Sequence, residues 1–406
     1  MGWGDSFDLM VREMSGPLKG IRVLDLTRVL AGPHATQILA DLGAEVIKVE
    51  RPGAGDDTRG WGPPYVKDAQ GNDTAETTYF AGCNRGKKSV VLDLSDPDEQ
   101  KKVRELAGQC DVLVENYKVG DLARYGLDYA SLHKLYPGLI YCSITGFGQT
   151  GPYAQRAGYD PIAQAMCGMM SVTGEPEDKA DTTPQRVGVA VVDLMSGHYS
   201  VIGILAALLH RKETGEGQHI DIGLLDVGVA SMANIGSAYL GAGVVSKRNG
   251  GVHPSVMPSQ VFECADGYVI VAAANDVQFR KLCEAAGRPE IASDERFATN
   301  SARVRNRAQA APLLDAIFRA RPVADWSEAL AGAGVSCGPI LSIDQVFDDP
   351  QVRARGMVVE IPYAPAGTLK MTASPIRMSL TPLDCAKPPP LLGEHQHEIF
   401  PTGGDR

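Results

Sequence analysis

Ile21-Arg22-Val23-Leu24-Asp25-Leu26, the turn Ala31-Gly32-Pro33, the stretch His34 to Leu42, Gly43, and Ala44-Glu45-Val46-Ile47-Lys48-Val49-Glu50 decide the fold. The outer runs are rich in β-branched residues and the middle one spaces its apolar residues as a helix, so the stretch reads strand, helix, strand. Working outward, the alternation continues with strand Ser89 to Leu94, helix Pro97 to Gln109 and strand Asp111 to Glu115. A short helix near Val119 to Tyr125, helix Ala130 to Tyr136 and strand Leu139 to Ser143 follow. Such alternation predicts an α/β fold with a doubly wound parallel sheet and ligands at the strand carboxyl ends.

Val187 to Leu209 is apolar enough to suggest a membrane span, but it contains Asp193 and His198. A strand ending near Val192 and a buried helix from Asp193 to Arg211 account for it better. Gly215-Glu216-Gly217 closes that helix before strand His219 to Leu224, and Asp226 to Val245 is dense in Gly, Ala and Ser. Past the composition shift at Lys247 to Gly251, Ala265-Asp266-Gly267 sits between two apolar runs as a hairpin turn. The rest, to about Arg355, reads mainly helical, and Lys387-Pro388-Pro389-Pro390 reads as extended chain. The expected organisation is a disordered leader 1–16, a large domain 17–225, a linker 226–250, a small α+β domain 251–350, and a segment 351–406 returning to the large domain.

At 406 residues the chain has ample length for two or three domains, and its net charge of −10 gives no basic footprint for nucleic acid or an anionic membrane. Eight Cys without a CxxC pair read as reduced thiols, with no metal site. Met1 to Gly20 lacks the apolar segment of a secretory signal, and Gly2 with Ser6 fits only loosely a myristoylation pattern. The expected location is the cytoplasm, or the mitochondrial matrix in a eukaryotic cell.

Gly146-Phe147-Gly148-Gln149-Thr150-Gly151 follows a strand and matches G-x-G-x-x-G, yet Pro152 and a polar loop to Gly158 stand where a dinucleotide site needs a helix. Asn84-Arg85-Gly86-Lys87-Lys88 and Arg51 put cations close to strands, read either as phosphate ligands or as solvated surface. Asp193 reads in two ways. It is a favoured helix N-cap, or it is a carboxylate kept anionic by the helix dipole and free N–H groups and able to attack an activated acyl group.

Pro17-Leu18-Lys19-Gly20-Ile21-Arg22-Val23-Leu24-Asp25-Leu26-Thr27, Ala31-Gly32-Pro33, Asp41 to Glu50, Val114-Glu115-Asn116-Tyr117 and Gly203 to Leu208 resemble the class III CoA-transferases, the group of formyl-CoA transferase and carnitine CoA-transferase. The resemblance runs from about Pro17 to the C-terminus. It implies a Rossmann-like large domain, a smaller α+β domain, and an interlocked, ring-like homodimer. It places the nucleophile on Asp193, which would pass through a mixed anhydride to an aspartyl-CoA thioester. By the same matching, CoA would be held by Val29, Leu30, Arg51, Asn84, Arg85, Lys87, Lys88, Asn116, Arg124 and Tyr125. Gly146 and Gly148 would line the approach, with Arg28, Tyr159 and His253 on the substrate. The substrates would be CoA thioesters and free carboxylic acids, with no permanently bound cofactor.

Two departures narrow this expectation. Racemases of the same fold carry His where Gly158-Tyr159-Asp160 has Tyr159, which removes their proton-transfer base. Two prolines stiffen Gly250 to Pro258, where oxalate-using relatives carry a glycine-rich loop. Gly250 to Pro258, Phe262 to Tyr268 and Pro388 to Gly393 look most like the succinate-hydroxymethylglutarate (glutarate) CoA-transferase branch. That likeness implies succinyl-CoA as donor and a dicarboxylate such as glutarate, hydroxymethylglutarate, itaconate or malate as acceptor. Arg28, Arg59, Arg85 and Arg186 are candidates for its second carboxylate. An acyl-CoA racemase, a nucleotide-dependent oxidoreductase and a CoA-binding regulator without turnover are the alternatives.

Overall fold

The structure, a computed structural model, describes residues 16–177, 179 and 182–401. Residues 1–15 of the expected leader, including Gly2 and Ser6, lie outside them. Cα packing divides the chain into two units, one of residues 1–169, 187–242 and 350–406, the other of residues 170–186 and 243–349.

In chain order the first unit has β1 (Arg22–Asp25), β2 (Glu45–Glu50), the antiparallel pair β3 (Tyr65–Lys67) and β4 (Asp73–Thr77), β5 (Lys87–Val91), β6 (Val112–Glu115), β7 (Ile140–Thr145) and β8 (His219–Gly223). Its main sheet runs β5-β2-β1-β6-β7-β8, every pair parallel, with Val23 opposite both Val46 and Val112. The helices that matter here are α1 (Ala31–Asp41), α2 (Thr78–Asn84), α3 (Pro97–Ala107), α4 (Tyr129–Leu135), α5 (Asp160–Met166), α6 (Val191–Thr214), α7 (Leu224–Ser231) and α8 (Ala233–Ala242).

Side chains alternate across the sheet as strand geometry requires. Val23, Val46, Val112 and Ile140 pack with α1 and α6, while Leu24, Ile47, Leu113 and Tyr141 pack with Val103 and Leu106 of α3 and Leu132 of α4. α6 can lie close on α1 because Gly197 stands where a Cβ would come 3.0 Å from the carbonyl oxygen of Ala31. α6 is long and apolar enough to cross a membrane by length and composition. Here its Val192, Val201, Ile204 and Ala207 belong to the first unit's core.

Several elements depart from the sequence reading. Val191 and Val192 are the first turn of α6 rather than the end of a strand, and β5 starts at Lys87 rather than Ser89. The stretch 226–250, expected as linker, is largely helix, because α7 and α8 span Leu224 to Ala242 with one break. The antiparallel pairs β3–β4 and β12 (Val358–Tyr363) with β13 (Gly367–Thr372) are absent from the sequence reading.

The second unit has β9 (Ser259–Glu263), β10 (Tyr268–Ala272) and β11 (Ser336–Pro339) in the order β11-β10-β9, all antiparallel. Cys264 N–H donates to the Gly267 carbonyl at 2.8 Å to close the expected hairpin. Phe262 stacks on Phe318 at 4.2 Å, and the Trp326 indole N–H donates to the Phe318 carbonyl at 2.9 Å.

The C-terminal segment covers the edge strand β5, which would otherwise leave a row of free backbone groups. Gly86 N–H donates to Pro388 O (3.0 Å), His395 N–H to Ser89 O (3.0 Å), and Val91 N–H to Gln396 Oε1 (2.8 Å). At about 1 kcal/mol per lost hydrogen bond, truncation before Lys387 is expected to lower the melting temperature by several degrees. It is also expected to produce concentration-dependent aggregation, both read by light scattering during a thermal ramp.

Candidate active site

The strand order reverses at β1. β2 and β5 lie on one side of it and β6 to β8 on the other, so the loops leaving β1 and β6 part and open a crevice at their carboxyl ends. A cleft of about 320 Å³ lies there, lined by Arg28, Val29 and Leu30 after β1, Asn116 and Lys118 after β6, Gly146 after β7, and Asp193 at the start of α6.

Buried charge fixes the loop after β1. Asp25, fully buried, accepts from Thr27 N–H (2.9 Å), Thr27 Oγ1 (2.6 Å), Thr36 Oγ1 (2.7 Å) and Lys87 Nζ (3.0 Å). Burial alone would raise its proton affinity, but Lys87, Lys48 and the two hydroxyls outweigh it and hold the carboxyl well below the usual range. Lys48 donates to the Thr27 carbonyl at 2.7 Å and pairs with Asp56 at 2.8 Å. Asn116 clamps the next peptide from both sides, accepting from Arg28 N–H (2.9 Å) and donating to Arg28 O (2.7 Å).

Val29 follows with φ +73°, a left-handed conformation that a β-branched residue adopts only under constraint, at a cost of about 1–3 kcal/mol. Its N–H points to Asp56 Oδ1 at 3.3 Å. The Val29 carbonyl accepts from Cys83 Sγ at 3.5 Å, so the strained residue is held on both sides. On the far wall Gly146 meets Gly158, where a Cβ would fall 2.5 Å from the Gly158 Cα.

Asp193 occupies the first turn of α6, three residues after the N-cap Ala190, whose side chain makes no cap. Among the described residues its carboxylate accepts no hydrogen bond. Burial first, and then the negative charge of Asp160, push it up to about 7. The structure corrects the expected surroundings of Asp193 in two respects. Asp193 is not the N-cap, and the free N–H groups expected to keep it anionic are taken by another residue. Asp160 accepts from Val192 N–H (2.8 Å) and Asp193 N–H (3.3 Å).

Of the other sequence-chosen residues, the cleft collects Arg28, Val29, Leu30, Asn116, Gly146 and Tyr159. Arg28 pairs there with Asp57 at 3.3 Å, and Arg51, half-exposed, shares that carboxylate at 2.6 Å. Gly148 is next to this wall, at φ +80°, its N–H on Thr145 Oγ1 at 3.0 Å. Arg124 lies 4.6 Å from the Tyr125 ring, and neither lines the cleft.

The cation cluster before β5 is placed differently from its reading as phosphate ligands, since it begins a strand and so sits at the sheet's amino edge. Lys87 is fully buried and spends all three donors on Asp25, Pro33 O (3.0 Å) and Asn84 Oδ1 (2.8 Å). Arg85 is buried on Asp41 (2.5 Å) and Thr372 O (2.6 Å), and Lys88 pairs with Glu45 and Glu398, each at 2.5 Å. Arg59 holds Glu50 in two bonds of 2.7 and 2.8 Å, and Arg186 is exposed in the second unit. His253 also belongs to the second unit, its carbonyl accepting from Arg307 at 2.8 Å.

Three residues at or near the cleft escaped the sequence reading. They are Lys118 and Arg156, which line the cleft, and Tyr79 on α2, whose hydroxyl is pushed up to about 12 by burial and by nearby Cys83 and Asp193. Charge alone marked none of them. Among the described residues no group of three or more His, Cys, Asp or Glu is placed to hold a metal ion.

A switch-point cleft with a donor-free carboxylate in the first turn of a helix defines an α/β enzyme that works at the carboxyl edge of a parallel sheet. Residues 18–396 match CoA-transferase family III. The chain is 50% identical over 384 residues to the succinate–glutarate CoA-transferase of Agrobacterium fabrum, covering 95% of each. It is 45% identical to the succinyl-CoA:glutarate CoA-transferase of Homo sapiens, covering 95% of this chain and 85% of that protein. Among solved structures it resembles a CAIB/BAIF family protein from Brucella suis, with 47% identity, TM-score 0.85, and coverage of 95% of this chain and 98% of that one. The protein belongs to the class III CoA-transferases, which act on CoA thioesters.

Two predictions follow from this geometry. Lys87→Met strands Asp25 without its buried partner and is expected to cost about 3–5 kcal/mol in urea unfolding, whereas a phosphate ligand would change KM and leave stability intact. Asp193→Asn removes a carboxylate whose proton affinity is higher folded than unfolded, so wild type carries a penalty above pH 7 that disappears as pH falls below about 4. The variant is therefore expected to be more stable than wild type by about 2–4 kcal/mol at pH 8, with no difference at pH 4, by urea unfolding at the two pH values.

Proposed function

We propose that this enzyme moves CoA from succinyl-CoA to a free dicarboxylic acid, glutarate first among the candidates, with Asp193 as the covalent nucleophile. The observation that carries the reading is the half-buried, donor-free Asp193 carboxylate in the switch-point cleft. The names of the relatives supply the donor and acceptor. The Asp193 oxygen attacks the thioester carbonyl, the C–S bond breaks, and CoA leaves as thiolate from a mixed anhydride. The thiolate then attacks the aspartyl carbonyl and expels the donor acid as its carboxylate, leaving an aspartyl-CoA thioester. The acceptor carboxylate repeats the two steps in reverse order, ending with a new acyl-CoA and a free Asp193. Charge is conserved throughout, and no metal or redox cofactor is required.

Val29, Leu30 and the Asn116 loop support the CoA side of the cleft in this reading, and Gly146, Gly148 and Tyr159 the acyl side. Arg28 and Arg51 remain proposals for phosphate or distal carboxylate, each by exchange away from Asp57. His253, in the second unit, is proposed for the substrate on the resemblance alone. Asn84, Arg85, Lys87 and Lys88 are better assigned to the frame of the sheet.

The large domain of the first unit would hold CoA, and the protein would be a soluble homodimer of the cytoplasm, or of the mitochondrial matrix in a eukaryotic cell. Exposed Ile202 and Leu209 of α6 and Leu240 of α8 support a covered face in the dimer.

The reading is tested by mass spectrometry of the CoA pool after incubation with succinyl-CoA and glutarate, hydroxymethylglutarate, itaconate or malate. Wild type is expected to form glutaryl-CoA fastest and Asp193→Ala to form at least about 1,000-fold less of any product. Untouched succinyl-CoA across the panel overturns the substrate assignment, and an active Asp193→Ala overturns the nucleophile. Light scattering is expected to give twice the 43.2 kDa chain mass.

A further inference from the structure

Three segments meet at the start of α6 through one chain of hydrogen bonds. Gln164, fully buried on α5, accepts from Val187 N–H at 2.9 Å and donates from Nε2 to Asp160 Oδ2 at 2.7 Å. The other oxygen of Asp160 takes the N–H groups of Val192 and Asp193 at 2.8 and 3.3 Å. Asp160 is itself buried and begins α5, one turn before Gln164. A helix start ordinarily offers its free N–H groups to its own first-turn acid. Here they are already occupied from outside.

We propose that Asp160 is a positioning residue for Asp193: by taking the first N–H groups of α6, it leaves the Asp193 carboxylate without a donor and beside a second negative charge, a more basic nucleophile than an N-terminal carboxylate would be. This rests on the reading of Asp193 as the nucleophile. Gln164 orients Asp160 by holding the oxygen that does not face the helix, and through Val187 it ties the chain entering α6 to the same point.

The geometry gives each part of the arrangement a separate consequence. The hydrogen bonds fix where Asp193 stands, and the charge on Asp160 adds to burial in holding its proton. Burial and Asp160 together raise Asp193 to about 7. Other groups face the same space. Tyr79 comes from α2 and is coupled electrostatically to both acids. Arg28 and Asp57 come from the loops after β1 and β2, Lys118 and Asp121 from the loop after β6, and Arg156, with Tyr159, from the segment before α5. Arg28 is paired with Asp57, so the charge nearest in effect to Asp193 is that of Asp160.

The test is the pH profile of kcat/KM for CoA transfer in wild type, Asp160→Asn, Asp160→Ser and Asp160→Glu, with Asp193→Ala as a control. Asn and Ser keep an oxygen that can accept from the helix and remove the charge, whereas Glu keeps the charge. The acid limb of wild type is expected near pH 7, moving down by about one pH unit or more in the two neutral variants and staying in place in Asp160→Glu. On the alkaline plateau kcat is expected to fall about 10-fold or more in the neutral variants, with KM for the CoA thioester within about 2-fold of wild type.

A folded neutral variant whose acid limb stays at the wild-type position overturns the proposal. A purely structural role for Asp160 would lower activity at every pH and leave the limb where it was, and that outcome also overturns it. A second measurement needs no variant. Labelling of wild type with a water-soluble carbodiimide, followed by peptide mass mapping, reads the titration of Asp193 itself, with a midpoint expected near 7. A midpoint near the ordinary 4 overturns the proposal even if neither neutral variant folds. Full transfer activity in Asp193→Ala would instead overturn the nucleophile reading, a failure distinct from an unmoved acid limb.

Discussion

The fully buried ion pairs of Asp25 with Lys87 and of Lys48 with Asp56 are the constraint on which the cleft depends. Charges so deeply buried are costly unless every lone pair and proton is engaged. Here Asp25 accepts four hydrogen bonds and Lys87 donates three. Apolar packing of the same volume could give equal or greater stability, so the network is better understood as fixing geometry. It holds the backbone from Thr27 to Val29 in one conformation, including a strained valine that would relax in a freer loop.

That geometry explains why one cleft wall is a loop and yet is rigid. Lys48 reaches forward from β2 to the Thr27 carbonyl, Asn116 reaches across from β6 to the Arg28 peptide, and Asp56 meets the Val29 N–H. One strand and the loops after two strands therefore converge on three consecutive residues, Thr27 to Val29. The opposite wall is fixed by different means, the contact of Gly146 with Gly158, where no side chain fits. A ligand entering between them meets two surfaces whose order was established when the chain folded, so little binding energy is lost to organising them.

Much of this was legible in the sequence, for specific reasons. β1, α1, β2, β6 and β7 were readable because apolar periodicity and glycine punctuation coincide in those stretches, and Asp193 was noticed because an acid interrupts an apolar run. The cation cluster was misread because sequence shows that charges adjoin a strand without showing which edge of the sheet they occupy. Lys87 and Arg85 are consumed by partners 62 and 44 residues away in sequence, Asp25 and Asp41. In the sequence Asp160 stands out only as the neighbour of Tyr159, because its effect on α6 passes between residues 32 and 33 positions apart. Long-range partners of polar groups are what local pattern does not encode.

A carboxylate near its ordinary proton affinity is a weak nucleophile toward a thioester, and the anhydride it forms returns rapidly to reactants when the expelled thiolate is far more basic. A free thiol ionises near 8.5 and an aspartate near 3.9, a gap of about 4.6. At about 7, Asp193 narrows that gap to about 1.5. In the proposed reaction the adduct of Asp193 with the thioester would then break down toward the anhydride more often than one made by an ordinary carboxylate. In that reaction the burial that raises the carboxylate would also limit the water that reaches an intermediate that hydrolyses readily. In the proposed reaction, nucleophile strength and protection of the intermediate therefore have one physical source. A change that solvated Asp193 would weaken both, and the loss would appear as slow transfer accompanied by hydrolysis of the donor thioester.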